Sequence, residues 1–491
     1  MPNVRTLQRS FAGGEMSPEM FGRIDDVKYQ TGAATMKNFV ATPQGPAENR
    51  PGTAFVRAVK DSTKRTRLIP FTYSTTQTMV IELGAGYIRF HTQGATLMSG
   101  GSPYEIANPY AEADLFDIHY VQSADVMTLV HPNYAPRELR RLGATSWTLT
   151  TINFGAPIAA PGGVTATRYI PASSSTNADT YETMSYVVTA VAADEVGESV
   201  QSSVASVTNN IYVTGATNTI SWSAVAGAAR YRVYKLLGGL YGYIGSTTGT
   251  SIVDNNIAPD LSVTPPIYDN EFVSAGNYPG AVSYFEQRRC FAGTINEPQK
   301  IWMTKSGTES NLSYGLPIRD DDRIEFRVAA REANTIRHIV PLTQLLLLTG
   351  SAEWRVSSLN SDEITPTTIS VRPQSYIGSS NVQPVIINNA LLYCAARGGH
   401  VRELGYNWQA NGFITNDMSI RSAHLFDNFE ISDMAFAKAP IQMIWFVSTS
   451  GMLLGLTYVP EQQIGAWHKH ETDGVFESCT VVAEGNEDRL Y

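Results

Sequence analysis

The feature that most constrains this chain is a hairpin that keeps returning. The segment 77-QTMVIELGAGYIRFHT-92 reads as two apolar strands around Gly84-Ala85-Gly86. About 48 residues later, 125-DVMTLVHP-132 and 137-RELRRL-142 flank a turn at Pro132-Asn133. The same layout recurs in 344-QLLLLTGSAEWRVSS-358, 390-ALLYCAARGGHVRELGY-406 and 441-IQMIWFVSTSGMLLGLTYV-459, with turns about 48 and 53 residues apart. Arg-Glu-Leu stands in two of the return strands, at 137–139 and 402–404. A four-stranded unit with this period is a propeller blade, and a lone blade cannot bury its two faces without neighbours. The expected fold class is all-β, a propeller-like array of blades.

The period breaks once. Residues 161–267 are rich in Ser, Thr, Ala, Val and Gly and are bordered by 157-PIAAPGG-163 and 264-TPP-266, which is linker chemistry. Inside, Trp222 on one alternating strand and Tyr231, Val233 and Lys235 on the next suit a small sandwich core. These phrases resemble fibronectin type III domains, except that the Trp-bearing strand here follows the Tyr-x-Val-x-Ala segment. The expectation is a fibronectin-like or immunoglobulin-like β-sandwich inserted between blades. The remaining boundaries read as an N-terminal arm or collar over 1–60, first blades over 61–156 and further blades over 278–491. Within the arm, 25-DDVKYQTGAATMKNF-39 is the one helix expected, capped by Asp25 or Asp26 and weakened by Gly32.

Composition narrows the function classes. The 491 residues carry 43% hydrophobic and only 16% charged side chains, enough for packed cores and too little charge for a disordered chain. Net charge is −9, with +3 on residues 1–60 and −12 on the rest. A dedicated nucleic-acid binder would be basic. The start, MPNVRTLQRSFAGGEMSPEM, has no signal-peptide core, and 341-PLTQLLLLTG-350 is too short to span a membrane. Cys290, Cys394 and Cys479 have no paired spacing and read as reduced, buried thiols, so folding in a reducing cytoplasm is expected.

Three clusters invite chemistry. His131 lacks a nucleophile motif and reads as a strand end, with Asn133 carrying the turn. In 467-WHKHE-471, His468 and His470 share one strand face, but no third ligand follows, so an exposed strand is expected. In 319-RDDDR-323 the alternating oxygen spacing of a calcium loop is missing, which leaves a solvated turn or an acidic rim of Asp320, Asp321 and Asp322. A glycosidase would need a carboxylate pair across the bond, and 45 acidic residues give no means of choosing two. No phosphate loop or dinucleotide motif is present. No catalytic residue, metal or cofactor is expected.

Longer phrases carry a resemblance. Residues 11-FAGGEMSPEMFGRIDDVKYQTGAATMKNFVATPQGPAENRPGTAFV-56, 68-LIPFTY-73, 123-SADVMTLVHPNYAPRELRR-141, 278-YPGAVSYFEQRRCFAGT-294 and 320-DDDRIEFRV-328 resemble the tail nozzle proteins of short-tailed bacteriophages, the tail tubular protein B-like family. The resemblance implies a non-enzymatic virion subunit, assembled in the host bacterial cytoplasm into a hexameric ring. It implies an adaptor (head-to-tail connector) above, tail fibres or tailspikes beside, and a distal plug or needle below. Genomic DNA would pass through the lumen without sequence recognition, and an acidic lumen would keep phosphates from sticking. Arg137, Arg140 and Arg141 are candidate assembly contacts. Two other classes stay open: a propeller glycan hydrolase or depolymerase, and an adhesin binding carbohydrate through the inserted sandwich. The segment 484-EGNEDRLY-491 reads as a return strand, so a closing partner is expected from the N-terminus or from a longer chain.

Overall fold

The computed structural model describes residues 8–74, 76–172, 180–330, 332, 334–359 and 363–491. Its centre is a β-propeller. Six antiparallel sheets follow in chain order, each with a four-strand path. Blade one runs Arg67–Ser74, Gln77–Gly84, Tyr87–Thr92 and Glu105–Ala107, with the short Ala95–Thr96 strand on its third member. Blade two is His119–Ser123, Val126–His131, Tyr134–Gly143 and Ser146–Thr151, and blade three is Ala281–Phe285, Arg288–Ala292, Lys300–Met303 and Ile324–Arg327. Blade four comprises Ile336–Pro341, Leu345–Thr349, Glu353–Ser358 and Ile369–Ser375. Blades five and six begin at Val385–Ile387 and Ile431–Ala437 and end at Gly412–Asp417 and Ile464–His470. Every hairpin anticipated above is the second and third strand of a blade, which is why the spacing was regular.

Blade four shows why apolar runs replace alternation. Leu345 and Leu347 pack with Ile301, Met303 and Ile324 of blade three. Leu346 and Leu348 pack with Leu391, Tyr393 and Leu404 of blade five. Successive side chains of a strand leave on opposite faces, so a strand between two blades must be apolar at every position. All four leucines are fully buried. Each contributes about 1.5–3 kcal/mol of burial.

Blade six draws its four strands from Ile431–His470, and the arm adds backbone bonds along the outer one. The residues beyond blade six form a separate hairpin, Val481–Glu484 with Glu487–Leu490, wedged between blades six and one. Thr78 Oγ1 donates to Ala483 O (2.5 Å), and the Leu68 amide donates to Ser478 Oγ. On the other side Asp433 of blade six accepts from Ser478 Oγ and the Cys479 amide.

The N-terminal arm contains no α-helix over 25–39. Tyr29–Thr31 is one 3-10 turn, and Gly32–Ala33 pairs in parallel with Gly14–Glu15. A short isolated helix interrupted by glycine is marginal in water, and here backbone partners compete with it. The Asn38 amide donates to Lys469 O (2.8 Å) and the Lys469 amide to Met36 O (3.0 Å), on the outer strand of blade six. Glu15 fastens this clasp. Its carboxylate is almost fully buried and accepts from the Met36 amide (2.7 Å), Lys469 Nζ (2.8 Å) and His424 Nε2 (2.9 Å). These bonds hold its pKa below the usual carboxylate range against the opposing effect of burial.

The clasp overturns the exposed-strand expectation for His468 and His470. Both are fully buried beneath the arm, with Nδ1 of His468 2.7 Å from Nε2 of His470 and the Trp445 ring beside them. The strand pattern placed the two rings on one face correctly. The covering segment comes from more than 400 positions away, and no local pattern announces it.

The insertion is a two-sheet sandwich. Thr165–Tyr169, Thr217–Ser221 and Ser251–Asp254 face a four-stranded sheet of Ala205–Asn209, Glu182–Ala192, Ala228–Leu237 and Leu240–Thr247. Trp222, Tyr231 and Val233 sit in its core with Tyr186 and Val188. Lys235 crosses between the sheets to the buried Asp254 (2.9 Å), which also accepts from Tyr186 OH (2.7 Å).

Candidate functional site at the propeller axis

The first strand of each blade lines the axis. Bonds that run from blade to blade close it. His119 of blade two places Nδ1 against Gly280 O (2.5 Å) and Nε2 against Asn381 O (3.0 Å). Gln383, at the entrance to blade five, donates to Tyr120 O (3.0 Å) and accepts from the Tyr120 amide (3.4 Å). His338 of blade four stands edge-on to His119, with centroids 4.8 Å apart, and its Nε2 faces Ser380 O (2.8 Å). Burial depresses both imidazoles, His338 strongly. Neutral rings at this buried centre avoid two adjacent charges.

Above the plug opens a cavity of about 600 Å3. Asp114, Asp117, His131, Arg337 and Glu430 line it. A second cavity of about 200 Å3 lies along the same inner strands, and His119 and Arg337 border both. Asp114 is set by Tyr134 OH (2.7 Å) and Asp117 by Asn381 Nδ2 (2.6 Å). Arg337 donates to Ser379 O (2.7 Å). His131 ends its strand as expected: the Asn133 amide donates to its Nδ1 (3.1 Å). It is also a wall of the cavity, which the strand-end reading missed. Asp114 and Asp117 share the 3-10 helix Glu112–Asp117 before blade two, whereas Glu430 stands more than 300 positions away before blade six.

The three candidate assembly arginines are not brought together. Arg140 and Arg141 leave their strand on opposite faces. Arg140 holds Glu138 through two nitrogens (2.9 and 2.6 Å). Arg141 lies over the Tyr73 ring of blade one, 5.0 Å from its centroid. Arg137 is half-buried on the same strand. The joint between blades two and three belongs to a residue the sequence reading passed over. Arg289 is fully buried and reaches Glu138 (2.8 Å), Glu309 (2.6 Å) and Tyr284 OH (3.0 Å).

The aspartate run divides. Asp320 and Asp321 are exposed, and Asp321 pairs with Lys305 (2.9 Å). Asp322 does not belong to a rim. It is buried, and its Oδ2 accepts from the Gly315 (3.0 Å) and Arg319 (2.9 Å) amides, closing a turn. Arg288 donates to the carbonyls of Asp320 (2.8 Å) and Asp322 (2.6 Å), so the run anchors a loop of blade three. Among the described residues, no group of three or more metal-ligating side chains converges.

No family model and no curated protein matches the chain. Solved structures similar to it include WD40 domains. The Pan2 WD40 domain of Neurospora crassa is 9% identical over 76% of this chain and 84% of that one, with a TM-score of 0.32. The RRP9 WD40 repeats are 7% identical over 76% and 96%, with a TM-score of 0.31. Apo AztD of Citrobacter koseri is 8% identical over 86% and 90%, with a TM-score of 0.36. The likeness is one of fold alone.

Proposed function

We propose that this chain is a structural subunit of a short-tailed bacteriophage tail nozzle, forming a hexameric ring through which genomic DNA is retained and then ejected. The observation that carries the reading is the set of nozzle-like phrases together with where they meet. Phrases 123–141 and 278–294 are joined by Glu138 and Arg289, and phrases 278–294 and 320–328 by Arg288 and the Asp320–Asp322 carbonyls. Phrase 11–56 is the clasp built on Glu15. The resemblance thus falls on joints between elements, where a structural protein concentrates its constraints.

The closed axis adds a geometric condition. DNA cannot thread a propeller whose centre is crossed by His119 and Gln383, so the conduit lies between copies and the propellers form its wall. The adaptor, the fibres or tailspikes and a distal plug are the partners this reading calls for. Mass photometry of the purified chain, alone and with the adaptor ring, tests it. Particles of six times the 53.6 kDa chain mass are expected, and monomers under both conditions overturn the proposal.

A further inference from the structure

We infer that the axial cavity is a binding site for a polyhydroxylated ligand, one sugar residue of a glycan. Its volume, about 600 Å3, lies in the range of small-molecule sites. Its polar groups are of both kinds. Asp114, Asp117 and Glu430 accept, whereas Arg337 and the His131 ring donate. The tautomer of His131 follows from its partner: Nδ1 accepts from the Asn133 amide, so the proton sits on Nε2.

That Nε2–H is the decisive group. His131 is 97% buried (3% exposed), and among the described residues Nε2 makes no hydrogen bond. Its nearest partner is Asp114 Oδ1 at 3.7 Å, too long for a direct bond. A hydroxyl beside the pair bridges them from the cavity, accepting from Nε2–H and donating to the carboxylate. An anion would meet three carboxylates, and a bare cation would meet Arg337 and an N–H. A sugar presents donors and acceptors side by side and satisfies both. Asp114 and Asp117 are already oriented by Tyr134 OH and Asn381 Nδ2, so little rotamer freedom is lost on binding. The walls between, Ile336, Ile431 and Ala395, suit the apolar faces of a pyranose ring.

Saturation-transfer NMR on the full chain tests this site. The probes are the methyl glycosides of glucose, galactose and mannose, and N-acetylglucosamine. Calorimetry with calcium chloride, spermidine and sodium phosphate covers ions. At least one sugar should show transfer. Asp114→Asn, which removes a charged acceptor, should weaken that sugar about tenfold. Glu430→Gln, at an exposed position tied into the fold through its backbone bonds to Thr449, should weaken it too and guards against a folding defect in the first variant. Transfer from no sugar, unchanged transfer in both variants, or binding of ions only would each overturn the inference. None of these outcomes bears on ring formation, so the site and the nozzle reading stand or fall separately.

Discussion

Glu138 and Arg289 show how one residue pair can decide whether two blades stay joined. Arg289 is fully buried, and the carboxylate of Glu138 is held below its usual range, against burial, by Arg289 and Arg140. Removing Arg289 empties a fully buried site and leaves Glu138 with only the half-exposed Arg140 as its cation, so Arg289→Ala should cost about 3 kcal/mol in urea unfolding. Arg140→Ala, on the half-exposed side of the same carboxylate, should cost under about 1 kcal/mol. Equal losses would contradict the burial argument. His468 and His470 make a pH prediction. Burial lowers both, His470 to about 4, so the unfolded chain binds protons that the folded chain refuses. Stability contributed by the neutral pair is present above an unfolded value of about 6.5 and is lost as pH falls from there toward 4. Replacing both with glutamine should flatten that part of the stability-against-pH curve.

The elements explain which parts of the structure were legible. Strands two and three of blades one, two, four, five and six were readable because each carries its apolar side chains on a local pattern, whereas the Arg288–Ala292 and Lys300–Met303 hairpin of blade three was not read. Leu345–Leu348 also shows what the pattern means: two leucines per neighbour. Leu347→Ala should therefore destabilise by about 2–5 kcal/mol, measured by thermal or urea unfolding, through the interface with blade three. The inserted sandwich was readable for the same reason, from Trp222, Tyr231 and Val233. The arm was not, because its conformation is set by blade six: Lys469 gives it backbone partners, and Glu15 locks it from a position whose role no neighbour in sequence reveals. Glu15→Ala should raise hydrogen exchange in residues 8–50 and in Ile464–His470 while leaving blades two to five protected. Uniform protection would show that the clasp does not depend on this carboxylate. Asp114, Asp117 and Glu430 were illegible for a further reason. A propeller axis collects residues from several blade entrances, and nothing in the local Asp114–Asp117 pair announces the distant Glu430.

At the scale of the whole molecule, the closed axis and the acidic balance bear on the same question. Under the proposed reading, a net charge of −9 would keep phosphates from binding tightly, which suits passage and not recognition. The propeller itself is sealed by bonds from blade two to blades three and five, so the proposed ring would use each copy as a solid wall element. The central claim is that copies of this wall enclose a shared channel. Single-particle cryo-electron microscopy of the chain assembled on its adaptor ring measures this most directly. The account predicts six propellers with plugged axes around one open, predominantly acidic lumen wide enough for duplex DNA. A monomer that never joins a ring, or a ring whose lumen is lined throughout by Arg and Lys, would contradict it.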